Sequence, residues 1–209
     1  MNLSYELTLK SQGHDLIAGL DEAGRGPLAG PVVAAAVIFN FTEIPEDLKG
    51  LADSKKLSAQ RRENFSKIIM ARATAFGVGI CDHQTIDRIN ILQATFLAMK
   101  KALTALDASP GIIVIDGNLP LPNYSQPQKS VVNGDEKIFS IAAASVLAKV
   151  ARDRIMLAMH ERYQQYGFKQ HKGYGTKLHL KMLEKFGPCE IHRQSFRPVK
   201  DFFKITNYQ

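Results

Sequence analysis

The sequence contains only two cysteines, Cys81 and Cys189. That excludes a disulfide framework and points to a reducing, cytoplasmic setting. No apolar run approaches the roughly 18 residues of a transmembrane helix. The longest, Pro27 to Phe39, is interrupted by Gly30 and Pro31 and suits a buried strand. The first fifteen residues carry Glu6, Lys10, His14 and Asp15 and no apolar segment, so neither a secretory signal nor a membrane partner is expected. With 15 glycines and 9 prolines, a collagen-like composition is excluded. What is present is 209 residues, 45% of them hydrophobic and 22% charged, enough for one domain with a real core.

Charge is unevenly spread. Residues 149–204 hold thirteen Lys or Arg against five Asp or Glu, whereas residues 1–148 hold fourteen against fifteen. All of the basic excess therefore lies in the last third. A basic segment beside a neutral body points to a polyanionic partner, most often nucleic acid. A solvated helical face would have the same composition.

No repeat or low-complexity tract is visible. Residues 16–22 read as an apolar strand ending in two acids, and Pro31 to Phe39 as a second strand, with Gly26-Pro27 and Gly30-Pro31 marking the turn between them. Ser58 through Ala71 reads as a helix capped by Ser58, and Thr74 to Ile80 as a third strand. These three strands suit an antiparallel meander. Gln84 to Leu106 has the period of one long helix, with Ile91, Leu92, Phe96, Met99 and Leu103 on one side and Pro110-Gly111 as its stop. Ile112 to Ile115 is a continuous apolar run, expected for a strand buried on both faces. A further strand is expected near Ser130 to Val132. Then come an Ala-rich helix from about Lys137 to Tyr163 and a last clear helix over Thr176 to Phe186. Strands first, then helix–strand alternation, define an α/β domain with a mixed sheet.

Three places put carboxylates at element ends: Asp21-Glu22, Asp116 and Asp135. Neighbouring strands of one sheet would bring such ends together. Clustered carboxylates repel one another unless a cation intervenes, and a hard divalent ion such as Mg²⁺ prefers oxygen ligands. Two ions ~4 Å apart can clamp the attacking and leaving oxygens of a phosphoryl transfer. Each acid also has an ordinary structural reading: Asp116-Gly117 as a turn, Asp135 as a helix cap. Adjacent acids such as Asp21 and Glu22 point to opposite faces of a strand, so they can share one site only at its end or at a bulge.

Gly24-Arg25-Gly26 follows directly on the first acids. Its spacing is neither that of a P-loop nor of a dinucleotide fingerprint. Beside acids, two glycines allow close backbone approach to a ligand, and Arg25 can contact a phosphate; a tight turn is the alternative. His171-Lys172-Gly173-Tyr174-Gly175-Thr176-Lys177 interleaves bases, glycines and one ring, a pattern suited to phosphates and a stacked sugar or base. Lys55-Lys56 can serve similarly. Asp153 reads as a surface pair with Arg152 and Arg154, Asp53 as a turn or cap residue, and Cys81 as a small core residue. His171 and His192 lack metal-ligand spacing and read as hydrogen-bonding or phosphate-contact residues.

Residues 20–32, from Leu20-Asp21-Glu22-Ala23-Gly24-Arg25-Gly26 to Pro31-Val32, resemble the opening signature of bacterial ribonuclease HII, the type 2 ribonuclease H. So do Asp53-Ser54-Lys55-Lys56-Leu57, Ile115-Asp116-Gly117-Asn118, Ala142 to Val150, Arg152-Asp153-Arg154 and His171 to Thr176, all in the family's order. The match spans roughly residues 16 to 200. The loop from Phe39 to Gly50 and the tail after Val199 carry no signature.

The resemblance implies a ribonuclease H-like fold: a five-stranded mixed sheet flanked by helices, with a C-terminal helical extension. It implies one catalytic domain over residues 1–209, whose basic helical part runs from about 165 to 209. It implies that Asp21, Glu22, Asp116 and Asp135 are catalytic and hold two Mg²⁺ or Mn²⁺ ions. Gly24, Arg25 and Gly26 would sense a ribonucleotide 2′-OH, and Tyr174 would pack on the following sugar. Lys56 and Lys172, with Lys177 and Lys181, would contact the duplex backbone. The implied activity is endonucleolytic cleavage of the RNA strand of RNA–DNA hybrids and 5′ of single ribonucleotides in duplex DNA, leaving 5′-phosphate and 3′-hydroxyl ends. That activity suits a cytoplasmic monomer that removes ribonucleotides from DNA. From the residues alone, a Holliday-junction resolvase or exonuclease of the same fold stays open, as does a non-catalytic nucleic-acid-binding module. Phe202-Phe203 is expected to pack against the core.

Overall fold

The computed structural model describes residues 1–51 and 57–205. In chain order the principal elements are α1 (Ser4–Ser11), β1 (Ile17–Ala23), β2 (Val32–Ile38), α2 (Ala59–Arg72), β3 (Ala75–Cys81), α3 (His83–Ile89) and α4 (Ile91–Thr104). There follow β4 (Ile112–Asp116), β5 (Gln128–Val131), α5 (Phe139–Arg162), α6 (Phe168–His171), α7 (Lys177–Phe186) and α8 (Val199–Ile205). The five strands form one sheet in the order β3-β2-β1-β4-β5. The first three pair antiparallel as a meander, with α2 inserted before β3. β4 and β5 are parallel to β1, so the sheet is mixed.

β2 lies inside the sheet and is buried throughout, which is why its sequence is an unbroken apolar run. Its side chains still alternate. Ala35 and Val37 face a core built with α5 and α2, including Phe139, Ala143, Leu147 and Ile69. Ala34, Ala36 and Ile38 face the opposite core, under α4. Small residues set how closely the helices approach. A Cβ at Gly19 of β1 would lie 2.2 Å from the Ser140 carbonyl carbon of α5. A Cβ at Gly79 of β3 would lie 2.0 Å from the Ala98 carbonyl oxygen of α4. Gly79→Ala should therefore push α4 off the sheet and cost about 2–3 kcal/mol by overpacking. A urea midpoint equal to that of the wild type would contradict this seating.

α5 starts without a side-chain cap of its own. Glu6 of α1 supplies one from afar: its Oε1 accepts from the Ser140 amide at 2.9 Å and from the Ser140 hydroxyl at 3.1 Å. A carboxylate at a helix N-terminus satisfies a free amide and complements the helix dipole. The N-terminal helix thus fixes one end of the element that underlies the candidate site.

Three features go against or beyond the sequence expectations. Residues 84–106 are two helices, because Asn90 adopts φ 67° between them and its Oδ1 accepts from the Gln93 amide at 3.1 Å to cap α4. Asparagine tolerates the left-handed region and caps well, so one residue ends one helix and starts the next. The buried face of α4 is also not the large-residue stripe. Met99 and Leu103 are buried, but Ile91, Leu92 and Phe96 are only half-buried, and Ala94, Ala98 and Ala102 meet the glycine-bearing strand. Thirdly, Thr176 to Phe186 is not the last helix, since α8 follows. Phe202 of α8 packs with Leu28, Leu183 and Val199, while Phe203 stays exposed.

Candidate active site

Strand register assembles the acids. β1 and β4 run parallel with Leu20 opposite Ile115, so the next residue on each strand, Asp21 and Asp116, arrive side by side. The chain then leaves β5 through a single 3₁₀ turn, Gly134–Glu136, which delivers Asp135. The Gly134 amide donates to Asp116 Oδ1 at 2.7 Å and ties that turn to the end of β4. One carboxylate oxygen from each of Asp21, Asp116 and Asp135 lies within 4.8 Å of the others. Asp21 and Asp135 are each 4% exposed, and Asp116 is half-buried.

Such packing is unfavourable for bare carboxylates. Burial holds the Asp21 carboxyl well above its usual range, and the charges of Glu22 and Asp116 push the same way. Hydrogen bonds from Ser145 and from the Glu22 amide, 2.7 Å from Asp21 Oδ1, only partly oppose this. Three hard oxygen donors, close and half-desolvated, are a donor set that fits a divalent cation such as Mg²⁺ or Mn²⁺.

Glu22 lines the same cleft near the strand's end but is not one of the three clustered oxygens. Its carboxylate pairs with Arg25 at 3.2 Å. Gly24, Arg25 and Gly26 form the neighbouring wall of this cleft of about 260 Å³, and Tyr174 closes it from the other side. A Cβ at Gly26 would stand 3.8 Å from the Tyr174 ring, so loop and ring are in contact distance across the site. Tyr174 is 43% exposed, open to a ligand.

A larger groove of about 720 Å³ continues from the cleft and shares Lys149 and Tyr174 with it. Arg62 and Glu63 of α2 form one flank, and Gln170 to Lys172 the other. The Lys172 side chain lines this groove with its ammonium on the Lys169 carbonyl. Lys177 and Lys181 are exposed one turn apart on α7. Asp53, Lys55 and Lys56 lie outside the described residues.

Several basic residues counted from the sequence are already engaged. Arg154 pairs with Glu63 at 2.6 Å, Arg162 with Glu190 at 3.4 Å and Arg197 with Asp201 at 3.9 Å. Asp153 is not a surface pair with its sequence neighbours: it binds Lys149 at 2.6 Å and Arg62 at 3.8 Å, because Arg152 turns inward and is fully buried. Composition thus overstates the free positive charge of the last third.

His171 and His192 hold structure rather than metal, joined by His179. The Cys189 amide donates to His192 Nδ1 at 2.9 Å, which leaves the His192 proton on Nε2. His192 Nε2 is 3.0 Å from His179 Nε2, and His179 Nδ1 is 2.9 Å from the Tyr174 carbonyl oxygen. Only one set of protons satisfies the chain: His192 donates to His179, which donates to Tyr174. Burial pushes both imidazoles down to about 4, so they are neutral at ordinary pH.

Sequence reasoning missed Ser145, Lys149, Arg152 and Arg193 as parts of this region. Ser145 and Lys149 carried a signal, being polar residues four apart in the otherwise apolar stretch 141–151. Arg193 carried none.

The model of the family described as Ribonuclease HII matches residues 18–199. The chain is 51% identical over 203 residues to a ribonuclease HII of Geotalea uraniireducens, covering 97% of this chain and 92% of that one. It is 53% identical over 199 residues to a ribonuclease HII of Bacillus licheniformis, covering 94% and 75%. The fold is similar to the crystal structure of the ribonuclease H2 from Pyrococcus horikoshii, with TM-score 0.73, 24% identity and coverage of 93% and 100%. It is also similar to the structure of Bst-RNase HIII in complex with Mn²⁺, with TM-score 0.67, 19% identity and coverage of 93% and 71%.

Proposed function

The chain belongs to the ribonuclease HII family and is an endoribonuclease; on that premise we propose how its residues divide the work. Asp21, Asp116 and Asp135, with Glu22 beside them, would hold two divalent ions, Mg²⁺ or Mn²⁺. The observation that carries this is the convergence of three carboxylate oxygens within 4.8 Å in a half-desolvated cleft. When bound, the ions supply easier deprotonation of the attacking water and charge neutralisation at the departing 3′-oxygen. The protein itself supplies no covalent nucleophile. Its side chains fix the geometry and exclude bulk water from the buried acids.

The wall formed by Gly24, Arg25 and Gly26 bears on the ribonucleotide 2′-OH, the group that separates RNA from DNA. Tyr174 packs on the next sugar, where a second hydroxyl would be disfavoured, so an RNA-to-DNA junction is preferred. Lys172, Lys177 and Lys181, with Lys56, contact backbone phosphates and read no sequence. The substrate is an RNA–DNA hybrid or duplex DNA carrying ribonucleotides, cut to 5′-phosphate and 3′-hydroxyl ends. We read residues 1–209 as one catalytic unit with a basic part from about 165 onward, working as a cytoplasmic monomer.

The test is a denaturing gel of a duplex with one embedded ribonucleotide beside the same duplex in all-DNA form, with and without Mg²⁺. A single metal-dependent cut 5′ of the ribonucleotide is expected. Cutting of the all-DNA duplex would favour a resolvase or exonuclease, and retention without cutting a binding module. In the same assay Tyr174→Ala should reduce the preference for a single ribonucleotide over a continuous RNA strand roughly tenfold, the scale of a lost ring contact of about 1–3 kcal/mol. An unchanged preference rejects its sugar-reading role.

A further inference from the structure

Two arginines of this chain are fully buried, Arg152 on α5 and Arg193 after α7. Burying a guanidinium is costly unless its donors are used. Here the hydrogen bonds of both go to main-chain carbonyls of the loops around the cleft, and Arg152 Nη1 is left buried without a hydrogen-bond partner among the described residues. Arg193 donates to Gly24 at 2.6 Å, Arg25 at 2.9 Å, Gly30 at 2.9 Å and Pro31 at 3.1 Å. Arg152 donates to Pro31 at 3.0 Å, Ala29 at 3.2 Å and Lys172 at 3.0 Å. The Arg152 guanidinium carbon also lies 5.7 Å from the Tyr174 ring centroid, within cation–π range. One guanidinium pair therefore grips the 24–31 loop and the segment carrying Tyr174 together.

The orientation of these carbonyls has a consequence. In a trans peptide the C=O and the following N–H point in opposite directions. The Gly24-Arg25 and Arg25-Gly26 bonds are trans, and both carbonyls turn inward to Arg193. Hence the amides of Arg25 and Gly26 turn away from Arg193, in a loop that lines the cleft. Gly24 makes room for the arrangement: at φ +95° it has no Cβ, and one there would stand 2.1 Å from Arg152 Nε.

We infer that Arg193, braced by Arg152, is a specificity-determining positioning residue that aims the Arg25 and Gly26 amides at the ribonucleotide 2′-hydroxyl. The inference rests on the reading of this loop as the 2′-OH sensor. A lysine at 193 keeps the charge but cannot span four carbonyls, because an ammonium has three donors at one point and a guanidinium five on a fork. The loop would then lose its fixed amide direction while the acids stayed in place.

The experiment compares cleavage of a duplex with one ribonucleotide against the same duplex carrying 2′-deoxy-2′-fluoro at that position, a much weaker acceptor for an amide. Wild type, R193K and R152K are measured for kcat and KM on each, with Mn²⁺ binding and melting temperature recorded for every variant. The wild type is expected to favour the hydroxyl strongly. R193K should lose at least tenfold of that ratio through kcat, with KM and Mn²⁺ binding close to wild type, and R152K should lose a smaller part. If R193K does not fold, R152K carries the test. A ratio equal to wild type in the variants that bind Mn²⁺ normally overturns the inference, even where melting temperature and overall rate fall. A wild type indifferent to the fluorine substitution overturns it differently, by removing the loop's role as sensor.

Discussion

Asp21→Asn should abolish cleavage while leaving duplex binding in place. Asp21 is a buried member of the carboxylate cluster, touching Ser145 and flanked by Glu22 and Asp116. An amide there keeps the shape but removes the charge that makes the trio attractive to a dication. Ion-assisted phosphoryl transfer rests on several kcal/mol of charge stabilisation. At about 1.4 kcal/mol per factor of ten, the loss should reach a thousandfold or more in kcat. Affinity for the duplex should change only a few-fold if, as proposed, lysines outside the cleft make the phosphate contacts. A second result separates this reading from damage to the fold. The Asp21 carboxyl has its pKa raised by burial, so its charged form opposes folding: stability present below the ordinary range is lost as pH rises through the raised value. Without metal at neutral pH, the variant should therefore melt at or above wild type. Turnover like that of the wild type in Mg²⁺ would remove the metal-site assignment.

Acid should weaken the protein steeply between pH 6.5 and about 4. His179 and His192 are pushed down from 6.5 to about 4, chiefly by burial. The unfolded chain binds these protons from pH 6.5 downward, but the native state refuses them until about 4. The contribution is therefore complete above 6.5 and is lost progressively as pH falls toward 4, where both states become charged. Each unit is about 1.4 kcal/mol per imidazole, so the pair is worth several kcal/mol over the window. His171 shifts in the same direction. Asp21 acts in the opposite sense, so the comparison should be with His192→Asn, which leaves the acids untouched. Urea unfolding at pH 7.5, 6 and 5 should give a shallower pH slope for the variant. Parallel slopes would contradict the neutral imidazole relay.

Much of the site was legible because its chemistry is local in the chain. Asp21-Glu22 with Gly24-Arg25-Gly26, and Asp116 closing an apolar run, announce themselves by residue type beside strand ends. That the strands pair so as to join Asp21 to Asp116 follows from the sheet register, which the structure displays; the family resemblance implied only a five-stranded mixed sheet. Other features depend on contacts that no short window contains. The large apolar side of α4 is not its most deeply buried one, because Gly77 and Gly79 demand alanines against the sheet. The helix break at Asn90 depends on one left-handed residue inside an intact helical period. Arg193 looks like one more cation in a basic tail; its meaning appears only when Gly24 and Arg25 are brought against it.

The parallel pairing of β1 with β4 sets when the molecule can act as well as where. Ala18 meets Ile113 only after the intervening helices and two antiparallel strands have been synthesised, and Asp135 arrives later still. Contacts so distant along the chain close slowly and late. A growing polypeptide on the ribosome would therefore hold no assembled acid cluster until its second half had emerged, and during refolding the return of catalysis should lag behind the return of helical signal.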